Sequence, residues 1–467
     1  MARLIKKLDF DVVVVGAGAA GVAAAIGAAK NGARTIMIDA GPLIGGEMVS
    51  GIPVDGCVSS RGEWVVGGVV REIFAELDRL GGYIGPINDY RSLHVVAVDP
   101  EIMKIAILNK VREAGVTPLL YTFAEDVIVH CGRIEGVMVL NKNERTLVTG
   151  KVFIDCSGDG DISVAAGAPF EIGDAKAGAL QPVTLVFRMM GVETEPLLRF
   201  VKDHPENFGL GEYEGLNMSP QECADALYRQ GLPKVFLVSE GEVMRQAIDS
   251  GDLHRSSMIG ITPVSLVRRE VSVNTTRIGN LDATKTDELS RALPELVDQV
   301  WDCSAFLKKY IPGFENAHFS GIAARIGIRE TRRVLCDYVL SSEDVYEARK
   351  RSDGIGKGAH EVDVHGSGTA HLRRAIKDGG SYDIPYKTLV ARNLSNLFVA
   401  GRCMSATREA HSSARVMGTC MVMGQAAGTA AAMCSKANAW AGDVRDIALP
   451  QLRGQLQAQG AVLDGTF

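Results

Sequence analysis

Several things are missing from this sequence, and each absence removes a class of protein. No run of eighteen apolar residues occurs anywhere in its 467 residues, so no membrane-spanning helix is expected. None of its nine cysteines forms a C-x-x-C pair. That argues against a zinc ribbon or a cysteine-ligated iron–sulfur cluster and fits reduced thiols in a cytoplasmic protein. Lysine and arginine form no cluster, and the formal charge is −6, which disfavours nucleic acid or an anionic membrane as partner. The opening MARLIKKLDF is basic, but the apolar run after it is short and leads into a glycine motif. It reads as a first strand and not as a signal peptide. What remains is a chain of ordinary globular composition, 46% apolar and 23% charged, long enough for two or three domains or one domain with insertions.

The most informative stretch is DVVVVGAGAAGVAAAIGAAKNGARTIMIDA, Asp11 to Ala40. Val12 to Val15 is a β-branched run suited to a strand buried on both faces. Gly16, Gly18 and Gly21 follow in a G-x-G-x-x-G spacing, then small helix-forming residues from Ala19 to Ala29. Asn31-Gly32 supplies a C-cap, and Arg34 to Asp39 reads as a second strand. Strand, glycine turn, helix and strand are the context this motif needs to bind a dinucleotide. Gly16 makes the turn, Gly18 admits the pyrophosphate, Gly21 allows close helix–strand packing, and the start of the helix, at Ala20, offers amide donors. Asp39 falls where a carboxylate accepts ribose hydroxyls.

The residues after Asp39 separate flavin from nicotinamide. A nicotinamide domain continues into another βα unit, whereas here the chain reads AGPLIGGEMVSGIP. Ala40, Gly45, Gly46, Glu47, Met48, Ser50 and Gly51 then form a loop passing along the cofactor, which suits FAD. No second G-x-G-x-x-G follows a strand, so no stable NAD(P)H domain is expected. Asp99 to Gly115 reads as a helix with proline in its first turn. Strands with turns at GRIEG and NKNER come next, a three-stranded meander in which Val127 would lie near the adenine. Lys151 to Cys156 reads as a further buried strand. It ends in SGDGD, where Ser157, Gly158 and Asp159 are either a plain turn or ligand contacts at a strand's C-terminal end. Near the C-terminus, Leu397 to Ala400 reads as a strand and Gly401-Arg402 as a turn. Arg415, Val416 and Met417 then lead into a small-residue helix whose N-terminus is aimed at the flavin.

These stretches resemble the bacterial FAD-dependent oxidoreductases related to fumarate reductase and thiazole-biosynthesis flavoproteins. The segments that carry the resemblance include VVVVGAGAAGVAAAI, GGEMVSG, VFIDCSGDGDISVAAGAPFEIG, IGIRETRR, YDIPYKTLV and NLFVAGRCMSATREAHSSARVMGTCMVMGQAAGTAAA. They leave residues 192–260 and the last thirty unmatched. The resemblance implies an α/β fold, with a Rossmann-like FAD-binding domain, a β-meander and an inserted α+β substrate domain. The FAD domain would be discontinuous, over 1–175 and 320–467, and the substrate or cap domain would cover 176–319. Within the latter, PVTLVFRMMG and LVRREVSVNTTRI read as strands and Asp287 to Tyr310 as a long helix.

Two groups are candidates for chemistry. His411, between the last strand and the last helix with Arg408, Glu409 and Arg415, is either the base that takes a proton during hydride transfer or a supporting residue. Arg329 and Arg332 either clamp a substrate carboxylate or pair with acids of the substrate domain. His360, Asp363, His365 and His371 have side chains that ligate metals. They lie in a stretch read as a glycine-rich loop, so a polar loop over the site, without metal, is expected, with His365 as an active-site contact. The expected activity is FAD-dependent oxidation of a small organic molecule at a CH–OH, CH–NH or CH–CH bond. Electrons would pass to oxygen, a quinone or a separate carrier. The alternatives are reduction of an activated C=C bond, a place in an electron-transfer complex, and a binding or tRNA-associated protein that keeps FAD as structure. Cys57 and Cys403 lie in no flavin-attachment motif, so a noncovalent flavin is expected, and a homo-oligomer is compatible with the glycine-rich C-terminal part.

Overall fold

A computed structural model describes residues 6–174, 178–366, 371–436 and 442–465. Strand β1 (Lys6–Val15) leads through the glycine turn into helix α1 (Ala19–Lys30) and strand β2 (Thr35–Ile38). Helix α2 (Pro100–Glu113) starts where sequence logic puts it. The Asp99 carboxylate caps it by accepting from the amides of Glu101 and Ile102, and Pro100 fixes the first turn. Strands β3 (Thr117–Leu119), β4 (Phe123–His130), β5 (Arg133–Leu140) and β6 (Arg145–Asp155) follow. The sheet order is β3-β2-β1-β6-β5-β4. β6 corrects one expectation: the third meander strand and the buried strand at Lys151 are one continuous strand. Its first part pairs antiparallel with β5, and all of it from Thr146 onward runs parallel to β1.

A second sheet is built from β7 (Phe187–Met190), β8 (Val235–Val238), β9 (Met258–Ser265), β10 (Glu270–Asn274) and β11 (His318–Ile322). Its order is β8-β9-β10-β7-β11, antiparallel throughout. The long helix α3 (Thr286–Tyr310) and other helices cover it, and together they enclose a separate core running from Val183 to Ala317. The domain boundary expected after residue 319 falls inside β11, because that strand completes the second sheet.

The stretch expected to be mostly loop is more ordered than its glycines suggest. Strands β12 (Val362–His365) and β13 (His371–Arg374) form an antiparallel pair. The chain then returns to the first sheet as β14 (Leu397–Val399), parallel to β6. Two helices end the site region, α4 (Arg408–Ala414) and α5 (Met417–Ser435), the latter almost wholly buried. The small residues of α1 and α5 serve close packing as well as the site. A Cβ on Gly424 would lie 2.1 Å from the Ala20 carbonyl oxygen, and one on Gly428 2.0 Å from that of Ala24. Two helix backbones in contact leave no room for side chains at either position.

Candidate active site

The C-terminal ends of β1, β2 and β6 open on one side of the sheet onto a cavity of about 490 Å³, the position at which open α/β sheets take ligands. Gly16, Gly18, Ala20, Asp39, Gly46 and Glu47 line it from the first βαβ unit, and Ser157, Gly158 and Asp159 from the end of β6. Gly401, Arg402, Arg415, Val416 and Met417 close it from the C-terminal segment, while Arg329 and His365 face it from the substrate side.

Local packing explains why these elements meet so closely. A Cβ on Gly21 would lie 1.8 Å from the Gly16 carbonyl oxygen, so α1 can follow the turn only with glycine there. A Cβ on Gly18 would touch nothing within 4 Å; that side of the turn is open. The carboxylate of Asp39 accepts from the amides of Ala17 and Gly41, both at 2.6 Å. It therefore organises the glycine turn while still presenting a carboxylate edge to the cavity. The SGDGD turn is held by a residue that sequence reading passed over. Asp155, fully buried, accepts from the amide and hydroxyl of Ser157 (3.1 and 2.7 Å) and of Ser163 (2.8 and 2.6 Å).

Eight expected contacts lie off the cavity wall: Gly21, Ala40, Gly45, Met48, Ser50, Gly51, Val127 and His411. Gly21 is turned toward Gly16, Met48 is buried in the core, and Ser50 donates its hydroxyl to the Glu47 carbonyl. Gly45 donates its amide to Ala17, which sets the loop rather than a ligand contact. Val127 sits in the edge strand β4, paired with Val137, two strands away from β6.

His411 is the main correction. It is fully buried, and its Nε2–H donates to the Arg402 carbonyl at 2.6 Å. Burial, reinforced by the charges of Arg415 and Arg333, holds its pKa well below the ordinary imidazole value. It is thus tied to the Arg402 turn from within the core and lies off the cavity wall.

Among the described residues, two histidines line the cavity, His360 and His365. The second shares one face of β12 with Asp363, two residues earlier, because strand side chains alternate. Its Nε2 lies 3.1 Å from Asp363 Oδ2. The His365 amide donates to Gln181 Oε1 at 3.3 Å, and the Asp363 amide to the Ser412 hydroxyl at 3.0 Å. The pair is thus on a strand and fixed from two sides, where a glycine-rich loop was expected. His360 also lines the cavity and donates from Nδ1 to the Glu361 carbonyl at 2.7 Å. His371 lies opposite His365 in the register; its side chain is outside what the structure describes. Among the described residues, no group of three or more His, Cys, Asp or Glu is placed to hold a metal.

Buried charge dominates the rest. Burial, with Arg415's charge next in size, pushes the Arg329 guanidinium down to about 9; its Nη1 donates to the Pro182 carbonyl at 2.8 Å. Arg415 is lowered as well, mainly by burial, and donates to Gln181 Oε1 at 3.4 Å. Arg402 is matched by Asp159 and Thr331, each at 2.9 Å, and Arg332, which does not line the cavity, by Asp161 at 3.2 Å. Burial raises the carboxyls of Glu47 and Asp55, against the charges of Arg325 and His360 respectively. Asp55 and Arg325 were not read as contacts of a flavin or substrate from sequence, whereas His360 was read as part of a polar loop over the site. Nothing in a single chain marks Asp55 or Arg325, since both are placed by tertiary packing.

An FAD fits these residues. The open face of Gly18 and the N-terminus of α1 suit a pyrophosphate, Asp39 stands at the ribose end, and the start of α5 closes the far end. The sequence profile of the family described as FAD dependent oxidoreductase matches residues 11–456. A dihydrolipoyl dehydrogenase from Synechocystis is 29% identical over 158 residues, 33% of this chain and 31% of that protein. A tRNA uridine 5-carboxymethylaminomethyl modification enzyme from Ligilactobacillus salivarius is 32% identical over 149 residues, 28% of this chain and 22% of that one. The chain therefore spans under a third of the length of these curated relatives. Among solved structures, a flavin-dependent brominase overlays with a TM-score of 0.49 at 14% identity, covering 96% of this chain and 83% of that one. A geranylgeranyl bacteriochlorophyll reductase-like protein from Thermoplasma acidophilum gives 0.42 at 15% identity, covering 97% and 83%. No helix among the described residues is long and apolar enough to cross a membrane.

Proposed function

We propose that this chain, which belongs to the FAD dependent oxidoreductase family, oxidises a small organic substrate at a CH–OH, CH–NH or CH–CH bond. Bound FAD supplies a hydride acceptor at its N5. Everything else falls to the protein. His365 takes the proton that leaves with the hydride, and Asp363 orients its ring and stabilises the imidazolium that forms. The observation that carries this reading is the Asp363–His365 pair, at 3.1 Å, in the cavity lined by Gly16, Gly18 and Asp39. Arg402, tied to Asp159, fixes the turn that starts the closing segment, and His411 holds the carbonyl of that turn.

A noncovalent flavin is supported by the cysteines. Cys57 and Cys403 do not line the cavity, and burial pushes both thiols up, away from the thiolate that attachment needs. Cys420 does line it and is pushed up to about 12, also by burial. Oxygen, a quinone or a separate carrier would take up the electrons.

The test is anaerobic bleaching of the visible flavin band against hydroxy acids, amines and saturated acids. One class should bleach wild type at a rate that His365→Asn lowers at least about a hundredfold and His411→Asn changes little. Equal rates for wild type and His365→Asn would remove the base assignment.

A further inference from the structure

Of the four arginines that line this cavity among the described residues, Arg402 is paired with Asp159, while Arg325, at the Gly18 end, Arg329 and Arg415 have no such pair. Around them Arg332 has Asp161, Arg333 and Arg408 share Glu330, and Arg373 has Glu361 and Glu212. Away from the Gly18 end, Arg329, Arg415 and the neighbouring Arg277 form an unmatched group. Among the described residues, none of the three has a carboxylate within ion-pair distance. Arg329 donates to a backbone carbonyl, Arg415 to a side-chain amide, and Arg277 to the Ser257 hydroxyl at 2.5 Å. They lie within electrostatic reach of one another: the charges of Arg415 and Arg277 both act on Arg329.

Asp363 is the carboxylate nearest all three in effect, opposing the drop in each of their pKa values. Burial raises the carboxyls of Glu47 and Asp55. Two buried donors also lack a partner: Arg415 Nε, and Nε2 of Gln181, a side chain 1% exposed. Guanidinium groups that are desolvated and unmatched destabilise the fold. A cluster of this kind is stable in use only with an anion in its midst.

FAD brings an anion of its own, but its pyrophosphate belongs at the other end. The open face of Gly18 and the α1 amides are there, and Arg325 comes within 3.3 Å of where a Gly46 Cβ would stand, next to Gly18. We infer that the substrate carries a carboxylate, seated on Arg329 and Arg415, which line the cavity, with Arg277 and Gln181 behind them. This rests on the oxidation reading of the same cavity. It places the oxidised carbon between that anchor and the flavin, within reach of His365. Gln181 is then a positioning residue, since its one amide oxygen accepts from both the His365 backbone and Arg415.

The experiment uses FAD-loaded protein and two readouts. In the first, hydroxy, amino and saturated carboxylic acids are each paired with the matching amide, and bleaching is followed anaerobically. In the second, redox-inert carboxylates (oxalate, malonate and benzoate) are titrated in, and the shift of the flavin absorption band gives their affinity. An acid should bleach while its amide does not. At least one inert carboxylate should shift the band, with binding weakened at least about tenfold in Arg329→Gln and partly restored in Arg329→Lys. If Arg329→Gln loses its flavin, as read from the ratio of visible to ultraviolet absorbance, Arg277→Gln serves the same purpose. Amides that bleach as fast as their acids would overturn the carboxylate while leaving the oxidation intact. No bleaching, together with an arginine-dependent shift by an inert acid, would overturn the oxidation and keep the carboxylate. Absence of any arginine-dependent binding would overturn the inference itself.

Discussion

At the scale of single residues, the chemistry depends on how neighbours fix protons. His411 and His365 are both histidines of the C-terminal half, yet only one can exchange a proton at the cavity. His411 is neutral in the fold because burial and two guanidiniums disfavour its charge. Unfolding lets it recover the ordinary value near 6.5, so the unfolded chain binds a proton that the native chain does not. Its contribution to stability is therefore complete above about pH 6.5 and falls as pH drops toward the depressed native value. His254, lowered to about 4 chiefly by burial, adds to the same slope. Thermal melts from pH 8 to pH 5 should show the midpoint falling, and His411→Gln should shallow that fall; an unchanged slope would mean the imidazole is not buried neutral. Asp155→Ala removes the acceptor for four donors and should cost at least about 2 kcal/mol, read by denaturant unfolding of the apo protein.

At the scale of elements, the sequence was most legible where one local rule decides. The capped start of α2 and the glycine turn before α1 follow from side chains a few positions apart. The path of β6 was harder to read, because GKVFID follows a polar stretch that looks like a turn. The ladder to β1, formed with residues more than a hundred positions away, runs along nearly its whole length. The same holds for Asp363 and His365: glycines on either side suggest a loop, and the partner strand β13 overrides them. Asp99→Ala should cost about 1 kcal/mol through the lost cap, and more here because Asp99 also receives Arg268 from the second sheet at 2.9 Å. Gly428→Val, set against the Ala24 backbone, should cost upward of about 3 kcal/mol. A melt within a degree of wild type would show that α1 and α5 can separate more easily than their contact implies.

At the scale of the whole molecule, the two sheets are joined at α2. Glu101 receives Arg188 at 2.9 Å, and Arg268 bridges Asp99 and the buried Glu270. These pairs lie on the side of the second sheet that meets the FAD-binding half, so they set how that sheet stands over the cavity. Arg268 is a little over a third exposed (37%), which limits what its pairs can contribute. Arg268→Ala should lower stability by about 1–2 kcal/mol and raise the rate at which FAD dissociates, measured by recovery of free-flavin fluorescence. The lining was legible for the glycines and the closing segment, whose motifs are contiguous. It was not legible for Asp55 or Arg325, which reach the site from separate parts of the chain.

The return of β14 to β6 has a consequence for how the protein is made. The wall around the cavity uses Gly16 and, much later in the chain, Gly401 to Met417. A ribosome must release most of the chain, including the entire second sheet, before β14 can add to the first and α5 can settle on α1. A nascent chain stalled before residue 397 has no place to keep a flavin, so loading with cofactor is a late event in the life of the polypeptide. Until then the α1 surface that α5 covers is exposed, and it is the stretch on which a chaperone would be most useful.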